Sequence, residues 1–488
     1  MTDAEFLAWV SSPGAIRCVL VEAAVYTGGL ERVRYLSNMG YVTAAGDTPA
    51  HTLYEPCITG GVSVSETLPL TGRASLAWGD IEVQNLGGVR DTWLNDVWAG
   101  RPVTVLIGDV SWPRADFRVV FSGVVEDISA RGADTLNLLL RDKSQQLNTP
   151  ITEATIEGTS LKSDTLKPLC FGEVHNVTPV LLDPGTLTYM VHNGPIEDVI
   201  EVRDNGIPVA FGVNKGQGTF SLSASPVGTI TASVQGAKPA GAYLRTVGAL
   251  VKHLATAYGT TPLAASDVDA AQLDQFDAAH QQTVGLYLSS RTNLLDAMQQ
   301  LAASVGAQVV LTPAGKLQLK KISLPAAGTP VTVSEAQVVN GTMQVSSTPA
   351  VQPAVRLAYC RNYTVQSGLT TGLPADHAEL YGQEWLVVQV KDDAVADLWR
   401  LSTAPEEVTT LLQSRAETEA EAVRRRNLWG VRRLVLKFDS FGAPVSYELG
   451  SACTLNHSRF GLSEGKTGQI VGKKTDWLTQ KVSFEVLI

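Results

Sequence analysis

Apolar, β-rich runs broken by polar turn residues recur through the first 150 residues, which read as a run of strands. The runs 16–26, 62–68, 74–85, 102–110, 117–128 and 135–141 are rich in β-branched and aromatic residues, and Gly, Asp and Pro separate them. That is the pattern of half-buried strands joined by turns. Gly123 falls inside Phe117-Arg-Val-Val-Phe-Ser-Gly-Val-Val125, where a barrel strand would need a bulge or a sharp bend. One helical segment, 92–99, interrupts the strands and carries Trp93, Leu94, Val97 and Trp98 at helical spacing. These residues are read as a plug for one end of a barrel rather than as a ligand site.

From 150 to 240 the texture changes. The run 199–209 is a hairpin with Asp204-Asn205-Gly206 at its turn, because Asn-Gly supplies the positive φ angles of a type I′ turn. A second pair of strands is predicted at 219–222 and 228–235. Helical periodicity then takes over. The segment 243–258 is amphipathic, and 293–305 places Leu294, Leu295, Met298, Leu301, Ala302 and Val305 on one face. Strands at 308–311 and 316–322 flank Thr312-Pro-Ala-Gly315.

The last third opens with strands near 351–365 and 384–390. Thr403-Ala-Pro-Glu406 matches the Ser/Thr-x-x-Glu capping box and predicts the start of a long helix. Its buried stripe would be Val408, Leu411, Leu412, Ala416, Ala420 and Val423, with Glu421 four residues before Arg425 in the favourable ion-pair order. Strands return at 434–438, 445–449, 452–456, 467–471 and 482–487. The expected partition is a β-barrel domain over 1–150, a small β domain or insertion over 151–240, an α+β module over 241–340, and a domain of long helix and β-barrel over 341–488.

Composition narrows the class. A length of 488 residues exceeds one compact core, and 43 glycines and 23 prolines, scattered rather than clustered, suit many strands and turns. The formal charge of -10 argues against a surface built to neutralise phosphates, although Arg424, Arg425 and Arg426 form a local basic patch. No run is apolar enough to span a bilayer. The start, with Asp3 and Glu5 and breaks at Pro13 and Arg17, lacks the basic opening and unbroken apolar stretch of a signal peptide. The expectation is therefore synthesis in a cytoplasm, without export by the usual route or membrane insertion.

Candidate chemistry is sparse. Cys18, Cys57, Cys170, Cys360 and Cys453 are far apart with no paired spacing, so neither a zinc ribbon nor a disulfide framework is indicated. Convergence of four of them on a metal or iron–sulfur cluster stays open beside the blander reading of buried thiols. The seven histidines, His51, His175, His192, His253, His280, His377 and His457, form no close ligand pair. Cys170 and His175 come nearest to a nucleophile–base pair but carry no family signature. Phosphate-binding glycine loops and the GxSxG elbow are missing. No catalytic, cofactor-binding or metal residue is assigned, and an enzyme is the minority expectation.

Several stretches resemble known proteins. Leu76-Ala-Trp-Gly-Asp-Ile-Glu-Val-Gln-Asn85, the tryptophan segment, Pro102-Val-Thr-Val-Leu-Ile-Gly108 and Phe121-Ser-Gly-Val-Val125 resemble the N-terminal barrel of phage tail-tip proteins. Pro168-Leu-Cys-Phe-Gly-Glu-Val-His-Asn-Val-Thr-Pro-Val180 and Gly228-Thr-Ile-Thr-Ala-Ser-Val-Gln-Gly236 are similar to phrases that recur in tail proteins of long-tailed phages (siphophages) infecting Gram-negative bacteria. Tyr447-Glu-Leu-Gly-Ser-Ala-Cys-Thr-Leu455 with Gly468-Gln-Ile-Val-Gly472 is similar to their terminal β domain. The resemblance implies a mainly β, multidomain fold with tail-tube-like β-barrels at both ends and helical and β insertions between them. It implies a baseplate hub at the distal end of the virion tail, a homotrimer joining the tail tube to the tip or fibres. Its partners would be copies of itself, the tail tube or distal tail protein, the tape measure and a tip or fibre protein, with DNA only in transit through the lumen. A hexameric distal tail protein is the alternative within that class. Outside it stand a cell-wall hydrolase, which needs a carboxylate pair or Cys–His site, and a receptor-binding protein, for which 181–240 is the natural region. Clustered cysteines hold an iron–sulfur centre in some such proteins, and their dispersal here departs from that pattern.

Overall fold

The computed structural model describes residues 2–12, 14–60, 62–70, 75–156, 164–366, 374–441, 447–479 and 481–488. The chain forms two compact units, each discontinuous in sequence. Residues 1–145, 310–349 and 433–488 make the first, and 146–309 with 350–432 make the second.

The first unit contains two β-barrels. In the N-terminal barrel, Leu30–Ser37, Arg17–Thr27, Pro102–Asp109, Arg118–Gly132, Thr135–Arg141 and Ile81–Gln84 pair in that order. Residues 57–59 complete the circle. Cys57 N–H and Ile58 N–H donate to the Ser37 carbonyl at 3.0 Å, Gln84 N–H donates to Cys57 O at 2.7 Å, and Ile58 bridges to Val83. Closure removes most of the exposed strand edges. Val19, Val21, Ala23 and Val25 point inward at every second position and meet Val103, Val105, Phe121, Leu136 and Leu138 in one cluster. The intervening Cys18 and Leu20 are also buried, under Tyr41, Tyr54 and Phe117 on the outer wall.

Both ends of this barrel are stoppered. Phe6 and Val10 of the helix Asp3–Val10 join the interior cluster, and Trp9 Nε1 donates to Asp109 at one end of the strands. At the other end Val97 pairs with Tyr26, which brings Trp93 and Trp98 over the interior. Trp98 Nε1 donates to the Trp93 carbonyl at 2.9 Å. The expected plug is present. It is a short 3-10 turn, Asp91–Asn95, that buries Trp93 and exposes Leu94, and Val97 beyond the turn is exposed as well. Burying one such indole contributes about 4–6 kcal/mol before ordering entropy is counted.

Gly123 is a point of close approach rather than a break. The strand Arg118–Gly132 runs through it, and a Cβ there would lie 2.2 Å from the Arg141 carbonyl oxygen. The register slips nearby, between Val105 and Leu106 on the partner strand.

The second barrel draws on distant parts of the chain. Val331–Ser334 runs parallel to Ala452–His457, followed in the sheet by Leu462–Asp476, Lys481–Leu487, Val435–Phe441 and Gln344–Ser347. After Val331–Ser334 a single turn carries the chain to the far edge, where Val338 bridges to Ser440 and Val339 N–H donates to Asp439 O at 2.8 Å. Phe438, Phe484, Leu455, Ile470 and Val482 fill the interior. Ser63–Thr67, which leaves the first barrel, pairs with residues 472–476 of the 15-residue strand Leu462–Asp476 and so becomes part of this second sheet. The predicted start of the 74–85 strand, residue 74, lies outside the described residues. The rest divides into Ser75–Trp78 and Ile81–Gln84.

In the second unit, Leu169–Val177 is flanked by Ile230–Ala237 and Gly285–Leu288, and Ile196–Asp204 continues the sheet. Asn205 and Gly206 have φ of 51° and 88°, so Arg203 and Asp204 face Pro208 and Ile207 across the expected Asn-Gly turn. A smaller four-stranded sheet, 180–222, packs on this one through Tyr189 and Phe220. The helices Val247–Ala257 and Leu294–Ser304 bury their apolar faces as predicted.

The long helix is displaced from its expected start. Thr403–Glu406 is not helical. Residues 407–409 instead form a strand parallel to 356–358, which commits that backbone to the sheet. The helix is Arg415–Trp429, capped by Ser414, and its buried residues are Thr418, Glu421, Ala422 and Leu428. Ala416 and Ala420, expected inside, are exposed. Of the predicted strand 445–449, residues 445 and 446 lie outside the described residues, and 447–449 are not in a strand.

Candidate functional site

The main candidate surface lies on the first barrel. The strand Leu30–Ser37 pairs with Arg17–Thr27 along its whole length on one side. On the other side it meets Leu53–Pro56 only at Leu36 and Ser37. Among the described residues, no strand covers the outer edge of 30–35. An open edge offers its N–H and C=O groups to a further strand. Leu30, Val33, Tyr26, Leu94 and Val97 are exposed around it. Two arginines brace the same corner. Arg34 lies 5.0 Å over the Trp93 ring and 3.6 Å from Asp96, and Arg101 lies 5.4 Å over Tyr26 and 3.5 Å from Glu31. The patch is therefore rigid, apolar at its centre and charged at its rim, as expected of a contact surface.

Among the described residues, the cysteines and histidines singled out for chemistry form no common reactive site, although His192 meets the Cys170 backbone and lies near His253. All five cysteines are buried free thiols. Cys18 and Cys57 lie in the first barrel's two clusters, Cys453 in the second barrel, and Cys170 in the second unit's main sheet. Burial pushes the thiols of Cys18 and Cys453 up to about 12 and those of Cys57 and Cys360 up to about 11, far from thiolate reactivity. Among the described residues, no group of three or more His, Cys, Asp and Glu is placed to hold a metal ion. Among the described residues, no helix is long and apolar enough to cross a membrane.

Cys170 and His175 share one strand but not one site. His175 Nε2 sits 3.4 Å from Glu173, and its hydrogen bond holds that carboxyl low. The residue that meets Cys170 is His192. Cys170 N–H donates to His192 Nδ1 at 2.9 Å, which leaves the ring's proton on Nε2. Burial pushes His192 down to about 4, and the neighbouring His253 adds to the effect. No local spacing links Cys170 to His192.

Two charged clusters in the second unit organise backbone. Arg203 is buried. Its Nη1 donates to the Gly206 carbonyl at 2.9 Å, its Nη2 lies 2.8 Å from Glu201, and its guanidinium lies 4.6 Å over the Tyr381 ring. Tyr381 Oη donates to Glu201 at 2.6 Å. Burial opposes the Glu201 charge, but the bonds from Arg203 and Tyr381 prevail and keep its carboxyl low. The basic triplet is also tied down. Arg424 and Arg425 bond Glu421, and Arg426 bonds Asp392 at 2.8 Å.

No family model matches the sequence, and no curated protein does so either. Solved structures do match. A tail protein from Neisseria meningitidis MC58 is 11% identical over 96% of both chains, with a TM-score of 0.37. The 43 kDa tail protein of prophage MuSo2 from Shewanella oneidensis is 11% identical over 96% of this chain and 98% of that one, with a TM-score of 0.42. A prophage tail protein from Listeria monocytogenes EGD-e is 10% identical over 96% and 94%, with a TM-score of 0.36.

Proposed function

We propose that the chain is a structural component of a phage tail baseplate, the hub that joins the tail tube to the tip or fibres and encloses part of the path of the DNA. The carrying observation is the pair of closed barrels in one unit, one built from residues 17–141 and the other from 331–347 and 435–487. Both interiors are filled with side chains, so neither barrel is itself a conduit. A passage has to be enclosed between copies arranged about an axis, and head-to-tail contacts whose rotation closes generate such a ring. Three copies with two barrels each would present six similar staves, the number that matches a sixfold tube. The open edge at 30–35 with its apolar surround supplies a contact surface for such a ring. The charge of -10 suits a lumen that does not grip DNA. Arg424, Arg425 and Arg426, held by acidic partners, fit a role away from that lumen.

The test is the mass of the purified chain with and without a charge on the edge. Wild type should form trimers, and Val33→Asp combined with Leu30→Asp should leave folded monomers. A chain that stays monomeric at every concentration, or trimers indifferent to the double substitution, would overturn the assignment of this edge. Six copies per ring would favour the distal tail alternative. Strong salt-sensitive binding of duplex DNA would contradict the inert conduit.

A further inference from the structure

The second barrel carries a strained turn beside a cleft. Leu462 N–H donates to the Arg459 carbonyl at 3.3 Å, which closes the hairpin between Ala452–His457 and Leu462–Asp476. The two central residues, Phe460 and Gly461, have φ of 61° and 68°. Two positive φ angles in succession are the pattern of a type I′ turn, whose first central position favours asparagine, aspartate or glycine. The same chain uses the preferred pair at Asn205-Gly206. A bulky aromatic held at positive φ strains the backbone. Burial does not offset that strain, because Phe460 remains 40% exposed.

The cleft has a volume of about 650 Å³ and is lined from two segments, 335–343 and 457–460, within the size range of small-molecule sites. Glu335 locks the two segments together. Its carboxylate accepts from Ser458 N–H at 2.9 Å and from Ser458 Oγ at 2.8 Å, and His457 Nε2 lies 3.8 Å from it. His457 Nδ1 accepts from Arg459 N–H at 3.0 Å, which leaves the ring's proton on Nε2, the nitrogen nearer Glu335. The hairpin tip is therefore held in place before any ligand arrives. Two apolar lining residues, Val338 and Met343, pack against the barrel core. That leaves Phe460 as the large apolar side chain open to solvent, with the exposed Arg459 and Asn340 in the same lining.

We propose that this cleft binds a saccharide, one face of a sugar ring packed on Phe460 and its hydroxyls hydrogen-bonded by Arg459 and Asn340. A pyranose has an apolar face of C–H groups and an edge of hydroxyls that both donate and accept. A solvent-open aromatic ring matches the first, and a planar guanidinium and an amide can each engage two neighbouring hydroxyls. A peptide strand would need a free sheet edge or a groove of apolar pockets, whereas this cleft offers one aromatic among polar side chains.

The experiment is binding of the full chain to an array of bacterial surface oligosaccharides, with an array of peptides probed in parallel and the strongest sugar then titrated by calorimetry. Wild type should bind at least one oligosaccharide, once per chain. Phe460→Asn installs a residue that the turn prefers, so the melting temperature should stay the same or rise while the sugar binds about tenfold more weakly or worse. Arg459→Ala is an independent second variant with a similar expected loss, and Phe460→Trp should retain binding. No oligosaccharide bound on the array, peptides bound in place of sugars, sugar binding that survives Phe460→Asn, or a Phe460→Asn protein that melts well below wild type would overturn the proposal.

Discussion

Glu421 offers a stringent test of the second unit's energetics. It is 4% exposed and accepts three charge-assisted hydrogen bonds of 2.7 Å, two from Arg424 and one from Arg425. Arg425 also donates to the Ala303 carbonyl at 2.7 Å, at the end of the helix Leu294–Ser304. The carboxylate thus helps fix the helix Arg415–Trp429 to a second helix. Glu421→Ala removes the acceptor and opens a void beside two arginines. Losing one partner of a fully buried pair costs about 3–5 kcal/mol. Both arginines keep some solvent access, which lowers the expected loss to about 2–4 kcal/mol. Glu421→Gln preserves the volume and should lose about 1–2 kcal/mol. For a unit of this size, 1 kcal/mol shifts the midpoint by about 2–4 °C, so Glu421→Ala should lower the second unit's transition by about 4–16 °C. Calorimetry resolves the transitions of the two units if they unfold separately, and urea titration followed by far-UV circular dichroism gives an independent value. A Glu421→Ala protein within about 0.5 kcal/mol of wild type, the range of an ordinary surface change, would refute the reasoning.

His192 should make the second unit acid-sensitive. Its folded pKa of about 4 lies below the ordinary 6.5, so the unfolded chain binds the proton first. Stability should fall as pH drops from about 6.5 to about 4, by up to about 3 kcal/mol. His192→Asn should flatten that slope in urea titrations across the range, and an unchanged slope would count against it. Asp277 accepts from Thr246 Oγ1, Gly248 N–H and Ala249 N–H, all at 2.7 Å, at the start of the helix Val247–Ala257. Asp277→Ala should cost about 1–2 kcal/mol, and a loss confined to a few tenths would show that water replaces the cap. The five buried thiols should resist a thiol reagent in the native protein and all react in guanidinium. Rapid native labelling of any one would contradict its burial.

Much of the fold is legible because local chemistry and tertiary need agree. Asn205-Gly206 sits where the hairpin turns, and the apolar faces at 243–258 and 293–305 are the ones buried. The helix after Thr403 shows the opposite case. Thr403-Ala-Pro-Glu406 has the capping signature, but residues 407–409 are held by a parallel strand. Ser414-Arg-Ala-Glu417 carries the same signature at the real start, so choosing between them required knowledge of the sheet. The buried face was misjudged because it contains a charge. Glu421 is inside because Arg424 and Arg425 come with it, whereas a stripe of small apolar residues pointed to Ala416 and Ala420. Closure of the second barrel was also invisible locally, since Val331–Ser334 pairs with Ala452–His457 across more than a hundred residues. The candidate site was legible only in part. The tryptophans were visible as a plug, but an open strand edge depends on which neighbour fails to pair, and no single segment records that.

The central claim is a ring of barrels around the tail axis, and a reconstruction of intact tails tests it most directly. The account predicts three copies of this chain at the distal end of the tail, each contributing two filled barrels to one closed ring, with residues 30–35 at a contact between barrels and an acidic or neutral lumen. Copies lying singly off the axis, or a lumen lined by unpaired lysine and arginine, would contradict it.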